Sequence, residues 1–472
     1  MSEASAPATV EQAANEYCEW RRLAISPDLL DIHRSNPERY PFLLESVARG
    51  GERARYDILF AFPGERLTLA ASGALSLDGE VVAGNDFLDR LDSGMRRERA
   101  TTSLPPVPFY GGWFVYLGYE LVSQTEPSVA LPPDDDAHDI AEAHRVPAAI
   151  VRDHAYGDTV LIAEATHRHL IEDMVHDLKR SSRVLASAEP PLEGTPRGID
   201  EDPPQAYLDG VERVKRYIRD GDVFQVNLSR GWRGRLRQGI DPTDVYARLR
   251  ASNPAPFAGF ARLAGRAVAS SSPERLVRIA AGRVETRPIA GTYPRDADAR
   301  EDEALSAALL AHPKERAEHI MLIDLERNDL GRVCRIGSVE VNELMALESY
   351  THVHHIVSNV RGRLRAEVTP GQVVRAVFPG GTITGCPKVR CMEIIAELEN
   401  VRRGSYTGAF AYFNHDGSGD SNILIRTIDV VGDRVEVRAG AGIVADSDPR
   451  RELDETRQKA RGPLSALAGL LE

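Results

Sequence analysis

Short apolar runs of strand length, closed off by Gly, Pro and acidic residues, narrow the folds open to this chain more than any other feature. Tyr56-Asp57-Ile58-Leu59-Phe60-Ala61-Phe62 and Thr159-Val160-Leu161-Ile162-Ala163 are too short for core helices and too apolar for loops, so they are predicted to be strands. Residues 257–263, 266–270 and 434–439 read the same way. Helical patterns fall between them, over residues 169–185, 205–220, 389–398 and, for the most part, 304–326. No repeat or heptad pattern emerges, which argues against a solenoid. The expected class is α/β in the α+β sense, with mixed, largely antiparallel sheets. Breaks rich in Pro, Gly and acids occur at Pro132-Pro133-Asp134-Asp135-Asp136 and over residues 189–205. The second separates two candidate regions, residues 20–188 and 203–465.

With 472 residues, 42% of them hydrophobic, the chain can bury a substantial core. Its formal net charge of -13 argues against a general nucleic-acid binder, which needs a basic surface. No apolar run is long enough to span a bilayer and the acidic start lacks a signal-peptide core, so a cytoplasmic location is expected, away from membranes. Cys18, Cys334, Cys386 and Cys391 show no CxxC spacing, and buried free thiols are expected.

Several segments carry potential chemistry. Glu315 and Glu318 share a helical face beside apolar residues, and Glu452, Glu455 and Lys459 share another, directly after Gly440-Ala441-Gly442. One carboxylate from each helix could hold Mg2+, which needs only one or two carboxylates plus an anionic ligand; for each helix by itself a solvated charged face is the commoner pattern. Phe378-Pro379-Gly380-Gly381-Thr382-Ile383-Thr384-Gly385-Cys386-Pro387-Lys388 is not a P-loop, because Cys386 and Pro387 separate the glycine from the lysine. With Pro387 at the first helical position, this segment is either an anion site strengthened by Lys388 or an ordinary loop-helix junction. In Tyr350-Thr351-His352-Val353-His354-His355-Ile356-Val357, strand alternation sends His352 and His354 to one face and His355 to the other. The histidines allow a metal cluster, a single acid-base or hydrogen-bonding His, or structural histidines. Ser272-Pro273-Glu274 supplies a lone carboxyl, which partial burial would turn into a general acid at neutral pH. Arg287-Pro288-Ile289-Ala290-Gly291-Thr292-Tyr293-Pro294-Arg295 reads by itself as a surface turn.

In this order, these segments resemble the chorismate-utilising enzymes, which include the components I of anthranilate and aminodeoxychorismate synthase and the isochorismate and salicylate synthases. The similarity is densest from Asn253 to Lys459. It runs through Ser272-Pro273-Glu274, Pro288-Ile289-Ala290-Gly291-Thr292, Glu318-His319, Arg327-Asn328-Asp329-Leu330-Gly331-Arg332, Gly381-Thr382, Arg403-Gly404-Ser405-Tyr406, Ile425-Arg426-Thr427, Gly440-Ala441-Gly442 and Asp454-Glu455-Thr456. The resemblance implies one compact fold, with two large, mainly antiparallel sheets packed as a sandwich and helices outside. It implies that Glu318 and Glu455 hold Mg2+ against the ring carboxylate of chorismate. Tyr406, Arg426 and the Gly440, Ala441 and Gly442 backbone would bind the enolpyruvyl carboxylate, with Ala290, Gly291 and Thr292 along the pocket. Glu274 would protonate the departing C4 hydroxyl, with His355 and Thr382 contacting the ring.

Position 290 bears on the reaction. Family members that use a covalent or water-activating lysine carry it there, whereas Ala290 leaves room for ammonia, as is typical of anthranilate synthase. Asn253-Pro254-Ala255-Pro256-Phe257-Ala258, Gly381-Thr382-Ile383-Thr384-Gly385 and Arg55-Tyr56-Asp57-Ile58 look more like aminodeoxychorismate synthase. That similarity implies direct or water-assisted amination of chorismate to 4-amino-4-deoxychorismate, for para-aminobenzoate and folate synthesis; the alternative is anthranilate synthase component I. A catalytically silent chorismate- or tryptophan-binding regulator is the reading from another class. No cysteine lies in a G-x-C-x-G elbow, so ammonia is expected from a separate glutamine amidotransferase subunit. Leu44, Glu45 and Ser46, with Asn253, Pro254 and Phe257, resemble the family's tryptophan pocket.

Overall fold

The computed structural model describes residues 9–48, 55–95, 105–133, 138–181, 196–296, 298–349 and 353–472. Asp134, Asp135 and Asp136 of the first break and residues 189–195 of the second therefore lie outside the described residues.

The strand expectations hold, with strands at Tyr56–Ala61, Asp158–Glu164, Phe257–Leu263, Arg266–Ser272 and Arg434–Ile443. The described strands assemble into a 13-stranded and a 12-stranded sheet. Each sheet draws on both regions of the chain. In the first, Phe42–Glu45 pairs antiparallel with Phe257–Leu263, placing Leu44 opposite Gly259. In the second, Gly112–Leu117 pairs antiparallel with Ala409–Asn414.

Between the sheets lies an aromatic layer that includes Phe42, Phe60, Phe114, Phe410 and Tyr412. Phe42 and Phe114 stack with centroids 4.1 Å apart. Each fully buried Phe here stabilises the sandwich by about 1.5–3 kcal/mol. Along Tyr56–Ala61, Ile58 and Phe60 enter this layer, while Leu59 and Ala61 face a second cluster under the helices Leu29–Ser35, Leu170–Ser181, Pro242–Ser252 and Pro449–Leu467. Both faces are covered, which is why the strand reads as a nearly continuous apolar run rather than as alternation.

The helices fall close to their expected places at Leu170–Ser181, Pro204–Arg219 and Lys388–Glu399. The stretch expected as mostly helix over 304–326 is two helices, Ala299–Ala311 and Pro313–Gly331. Pro313 forces the break: it disfavours helical geometry at the preceding residue and suits the first position of the next helix. His312 accordingly takes extended backbone (φ −67, ψ 114) and caps the second helix by accepting from the Glu315 amide.

Candidate active site

Glu274 sits where the chain crosses between sheets, between strand Arg266–Ser272 of the first and strand Arg275–Ala280 of the second. Its amide donates to Ser272 Oγ and its carbonyl accepts from the Ile423 amide, so the backbone is anchored on both sides. The side chain is buried, and Thr382 Oγ1 donates to Oε1 at 2.8 Å. Burial pushes this carboxyl up to about 7; the Thr382 hydroxyl, the Ile289 amide and the charges of Lys459 and Arg426 pull the other way. The group can therefore hold a proton near neutrality and give it up.

Strand Ile289–Pro294 runs antiparallel to Val353–Arg363, with Ala290 opposite Ile356, Thr292 opposite His355 and an irregularity between them. The extra residue is Gly291, at φ +69, a conformation that favours glycine. A Cβ there would also come within 2.8 Å of Leu309 Cδ1 and 3.0 Å of Glu315 Oε2. This segment is therefore a paired strand, not the surface turn that it suggests in isolation. The side chains of Ala290 and Thr292 lie outside the description, as does His352.

His354 and His355 do point to opposite faces. His354 pairs with Ser349 Oγ and Asp302 Oδ1, whereas His355 is buried against the Gly291 backbone. Burial, aided by the Arg426 charge, pushes His355 down to about 4 and keeps it neutral. The three-histidine metal reading thus loses its geometry, since the two described histidines diverge. Arg426 is a non-glycine residue at φ +53, a costly conformation of the kind found at functional sites. Burial depresses its pKa and the nearby Glu274 opposes the shift.

The other wall comes from strand Arg434–Ile443 and its partner Gln225–Arg235, which set Gly440 opposite Ser229 and Gly442 opposite Asn227. Tyr406 is buried, and its hydroxyl donates to Asn227 Oδ1 at 3.5 Å. A Cβ on Gly440 would lie 2.6 Å from that same oxygen and 2.7 Å from the Tyr406 hydroxyl, so glycine is what allows this wall. Ala441 turns the opposite way, into an apolar cluster with Val226 and Leu228. Lys459 donates to the Gly440 carbonyl at 3.1 Å and pairs with Glu455 at 2.8 Å.

Both carboxylates expected to bind metal lie on helices. Glu318 is half-buried on Pro313–Gly331, one turn beyond Glu315, and Glu455 is half-exposed on Pro449–Leu467. Among the described residues, no three His, Cys, Asp or Glu side chains gather as a metal site. Carboxylate oxygens are the hard donors that Mg2+ takes, one or two at a time, with water and substrate in its remaining positions.

Lys388 differs from the anion-site expectation. Its buried ammonium gives hydrogen bonds to Asp329 Oδ2 at 2.7 Å and to the Val377 and Pro379 carbonyls, both at 3.2 Å. An ammonium has three donors and all are used within the protein. Lys388 is therefore a tether, not a ligand for an incoming anion. Pro387 likewise caps the helix with extended backbone rather than occupying its first position; its carbonyl accepts from the Cys391 amide.

The residues grouped as a second pocket also come together. Leu44 and Glu45 lie on Phe42–Glu45 beside the strand that begins at Phe257. Ser46 Oγ donates to the Pro256 carbonyl at 3.3 Å, and Asn253 Nδ2 donates to the Ser271 carbonyl at 3.4 Å, just before Pro254. Glu45 is buried, accepting from the Tyr246 hydroxyl at 2.7 Å and from Arg250 at 3.0 Å, and burial raises its pKa.

Asn227 and Gln225 join the expected residues only in three dimensions, whereas Asp329 and Arg403 stand in matching motifs and there gain their partners Lys388 and Glu399. The one signal for the first two is the polar-apolar alternation of Gln225-Val226-Asn227-Leu228 on a buried strand. The described thiols are free: Cys18, Cys334 and Cys391 are buried and Cys386 half-buried. No helix among the described residues is long and apolar enough to cross a membrane.

The chain matches the chorismate binding enzyme family over residues 47–465. It is 38% identical to anthranilate synthase component 1 of Acetivibrio thermocellus over 456 residues, 90% of each chain. It is 50% identical to aminodeoxychorismate synthase component 1 of Bacillus subtilis (strain 168) over 258 residues, 54% of each chain. The crystal structure of anthranilate synthase component I from Streptococcus pneumoniae TIGR4 superposes with a TM-score of 0.77 at 32% identity, covering 88% of this chain and 93% of that one. With the family match running over residues 47–465, the chain belongs to the chorismate-binding enzymes.

Proposed function

We propose that this protein aminates chorismate with ammonia, giving 4-amino-4-deoxychorismate and water, as component I of an aminodeoxychorismate synthase. The observation that carries the reading is the Glu274 carboxyl, buried and raised to about 7 beside Thr382, within the influence of Arg426 and Lys459. Hydroxide is a poor leaving group unless it is protonated. Glu274 gives its proton to the C4 hydroxyl as the C4–O bond breaks, and nitrogen takes the C4 position. The nitrogen then sheds a proton, which restores the acid. Arg426 and the Tyr406 hydroxyl, beside the Gly440 wall, bind the enolpyruvyl carboxylate of a dianionic substrate. Neutral His355 offers a hydrogen bond to the ring without adding charge.

Glu318 and Glu455 would hold Mg2+, which when bound supplies positive charge for the ring carboxylate. Ammonia would come from a separate amidotransferase subunit. Burial raises all four thiols of this chain, Cys18, Cys334, Cys386 and Cys391, which disfavours a nucleophilic thiolate here.

Support for the aminodeoxychorismate product comes from the 50% identity to the Bacillus subtilis component over 258 residues. A second reading has its own support: the Acetivibrio thermocellus anthranilate synthase component matches over 90% of this chain. In that case ammonia and chorismate would give anthranilate, pyruvate and water. Chorismate consumption that requires both ammonium and Mg2+ tests the shared chemistry; a chorismate-binding regulator would leave chorismate unchanged.

A further inference from the structure

Thr382 can orient Glu274 only if its own backbone is fixed, yet it rides on a three-residue turn, Gly381–Ile383, without a side-chain cap at its start. Two buried cations hold that turn from its two ends. Before it, Lys388 Nζ binds the Val377 and Pro379 carbonyls, both at 3.2 Å. After it, Arg403 Nη1 donates to the Ile383 carbonyl at 3.1 Å, while Nη2 donates to the Asn227 carbonyl at 2.8 Å. The Thr384 hydroxyl closes the turn onto the Gly380 carbonyl at 2.9 Å.

Each cation has its own buried carboxylate. Asp329 accepts from Lys388 at 2.7 Å, and Glu399 accepts from Arg403 Nη2 at 2.6 Å and Nε at 3.0 Å. Glu399 is held further by the Ser229 amide and hydroxyl at 2.7 and 2.8 Å. The Arg403 guanidinium also lies over the Tyr406 ring, 5.4 Å from its centroid. Arg403 therefore touches both walls of the site, the Thr382 turn and the Asn227–Tyr406 pair.

Buried ion pairs are a poor means of gaining stability, because apolar residues of similar volume often do as well or better. What they do supply is registry, since a carbonyl bound by a fixed cation cannot slide along its neighbour. Gly381 gives little room for compensation: a Cβ there would come 2.3 Å from Leu325 Cδ2, so the turn already sits hard against helix Pro313–Gly331.

We propose that Lys388 and Arg403 are positioning residues, a two-ended clamp that sets the Thr382 hydroxyl on Glu274 and so aligns the proton donor. The inference rests on the reading of Glu274 as that donor. The Thr382 hydrogen bond favours the ionised carboxyl. A loosened clamp removes that effect and moves the alkaline limb of kcat/KM to higher pH.

The test compares pH profiles of kcat/KM for chorismate, with ammonium and Mg2+ saturating, across wild type, T382V, K388R, R403K and the paired variant D329N/K388M. T382V is expected to raise the limb by roughly one to two pH units. R403K keeps the charge of the exit cation but loses its planar fork. It and D329N/K388M are expected to reproduce at least half of that shift, with kcat affected more than KM, while K388R stays near the wild-type limb. Folded R403K with a wild-type limb overturns the clamp, even if the paired variant does not fold. E274Q separates the two levels. If it keeps full activity, the donor reading fails; if it is inactive and T382V shifts the limb while R403K does not, only the clamp fails.

Discussion

The hydroxyl of Thr382 donates to Glu274 Oε1 across 2.8 Å, joining residues 108 positions apart in the chain. One partner lies at the crossover between the sheets and the other on a turn packed against helix Pro313–Gly331. The Glu274 carboxyl thus sits on a two-residue link between the sheets whose backbone is anchored on both sides, which suits the proposed donor, a group that must meet its leaving group in one geometry.

Glu274→Gln keeps the shape of the side chain and removes its acidity. Steady-state kinetics should show kcat lower by about 10²–10⁴-fold, with KM for chorismate within a few-fold of wild type. A large rise in KM at unchanged kcat would make Glu274 a binding group instead.

The raised carboxyl also fixes a pH dependence. Burial moves Glu274 from 4.5 up to about 7, and the proposed donor acts in its protonated form, so activity should be retained below that pH and lost as pH rises through it. The log of kcat/KM should fall with unit slope above about 7. His355, pushed down to about 4, stays neutral and should contribute no limb between about 5 and 8. A second ionisation in that window that His355→Gln removes would contradict this assignment.

Gly440→Ala tests the packed wall. The new Cβ would lie 2.6 Å from Asn227 Oδ1, 2.7 Å from the Tyr406 hydroxyl and 2.8 Å from the Leu228 carbonyl, and the last of these is backbone. Overpacking of this kind costs about 1–3 kcal/mol. Thermal unfolding should fall by several degrees and KM for chorismate should rise.

Glu318→Gln and Glu455→Gln should each raise the Mg2+ concentration for half-maximal activity by at least ~10-fold, a loss that even outer-shell partners of a metal produce. Mg2+ titration of activity reads this directly. Glu455→Gln also leaves Lys459 without the partner it holds at 2.8 Å, so thermal unfolding should be measured beside it.

Much of the fold was readable from local patterns, because two-sided burial writes continuous apolar runs such as Ile58-Leu59-Phe60-Ala61 into the chain. The break at Pro313 was readable in principle, since proline constrains its predecessor, but helical periodicity over 304–326 concealed it. Strand alternation at His354 and His355 placed the two histidines on opposite faces. Lys388 was misjudged because its sequence neighbours are glycines and a proline, while its partner Asp329 is 59 residues away. The roles of Arg403 and Asn227 escaped for the same reason: Arg403 binds the Ile383 and Asn227 carbonyls, 20 and 176 residues away, although its carboxylate Glu399 is only four residues distant. Local propensity carries no information about such partners.

The most direct measurement is the identity of the product when the purified protein is incubated with chorismate, Mg2+ and 15N-ammonium. Mass spectrometry is expected to show one nitrogen incorporated with the enolpyruvyl group retained, without fluorescence or pyruvate release. Fluorescent anthranilate with stoichiometric pyruvate would contradict the assignment to aminodeoxychorismate synthesis, and unchanged chorismate would contradict amination altogether.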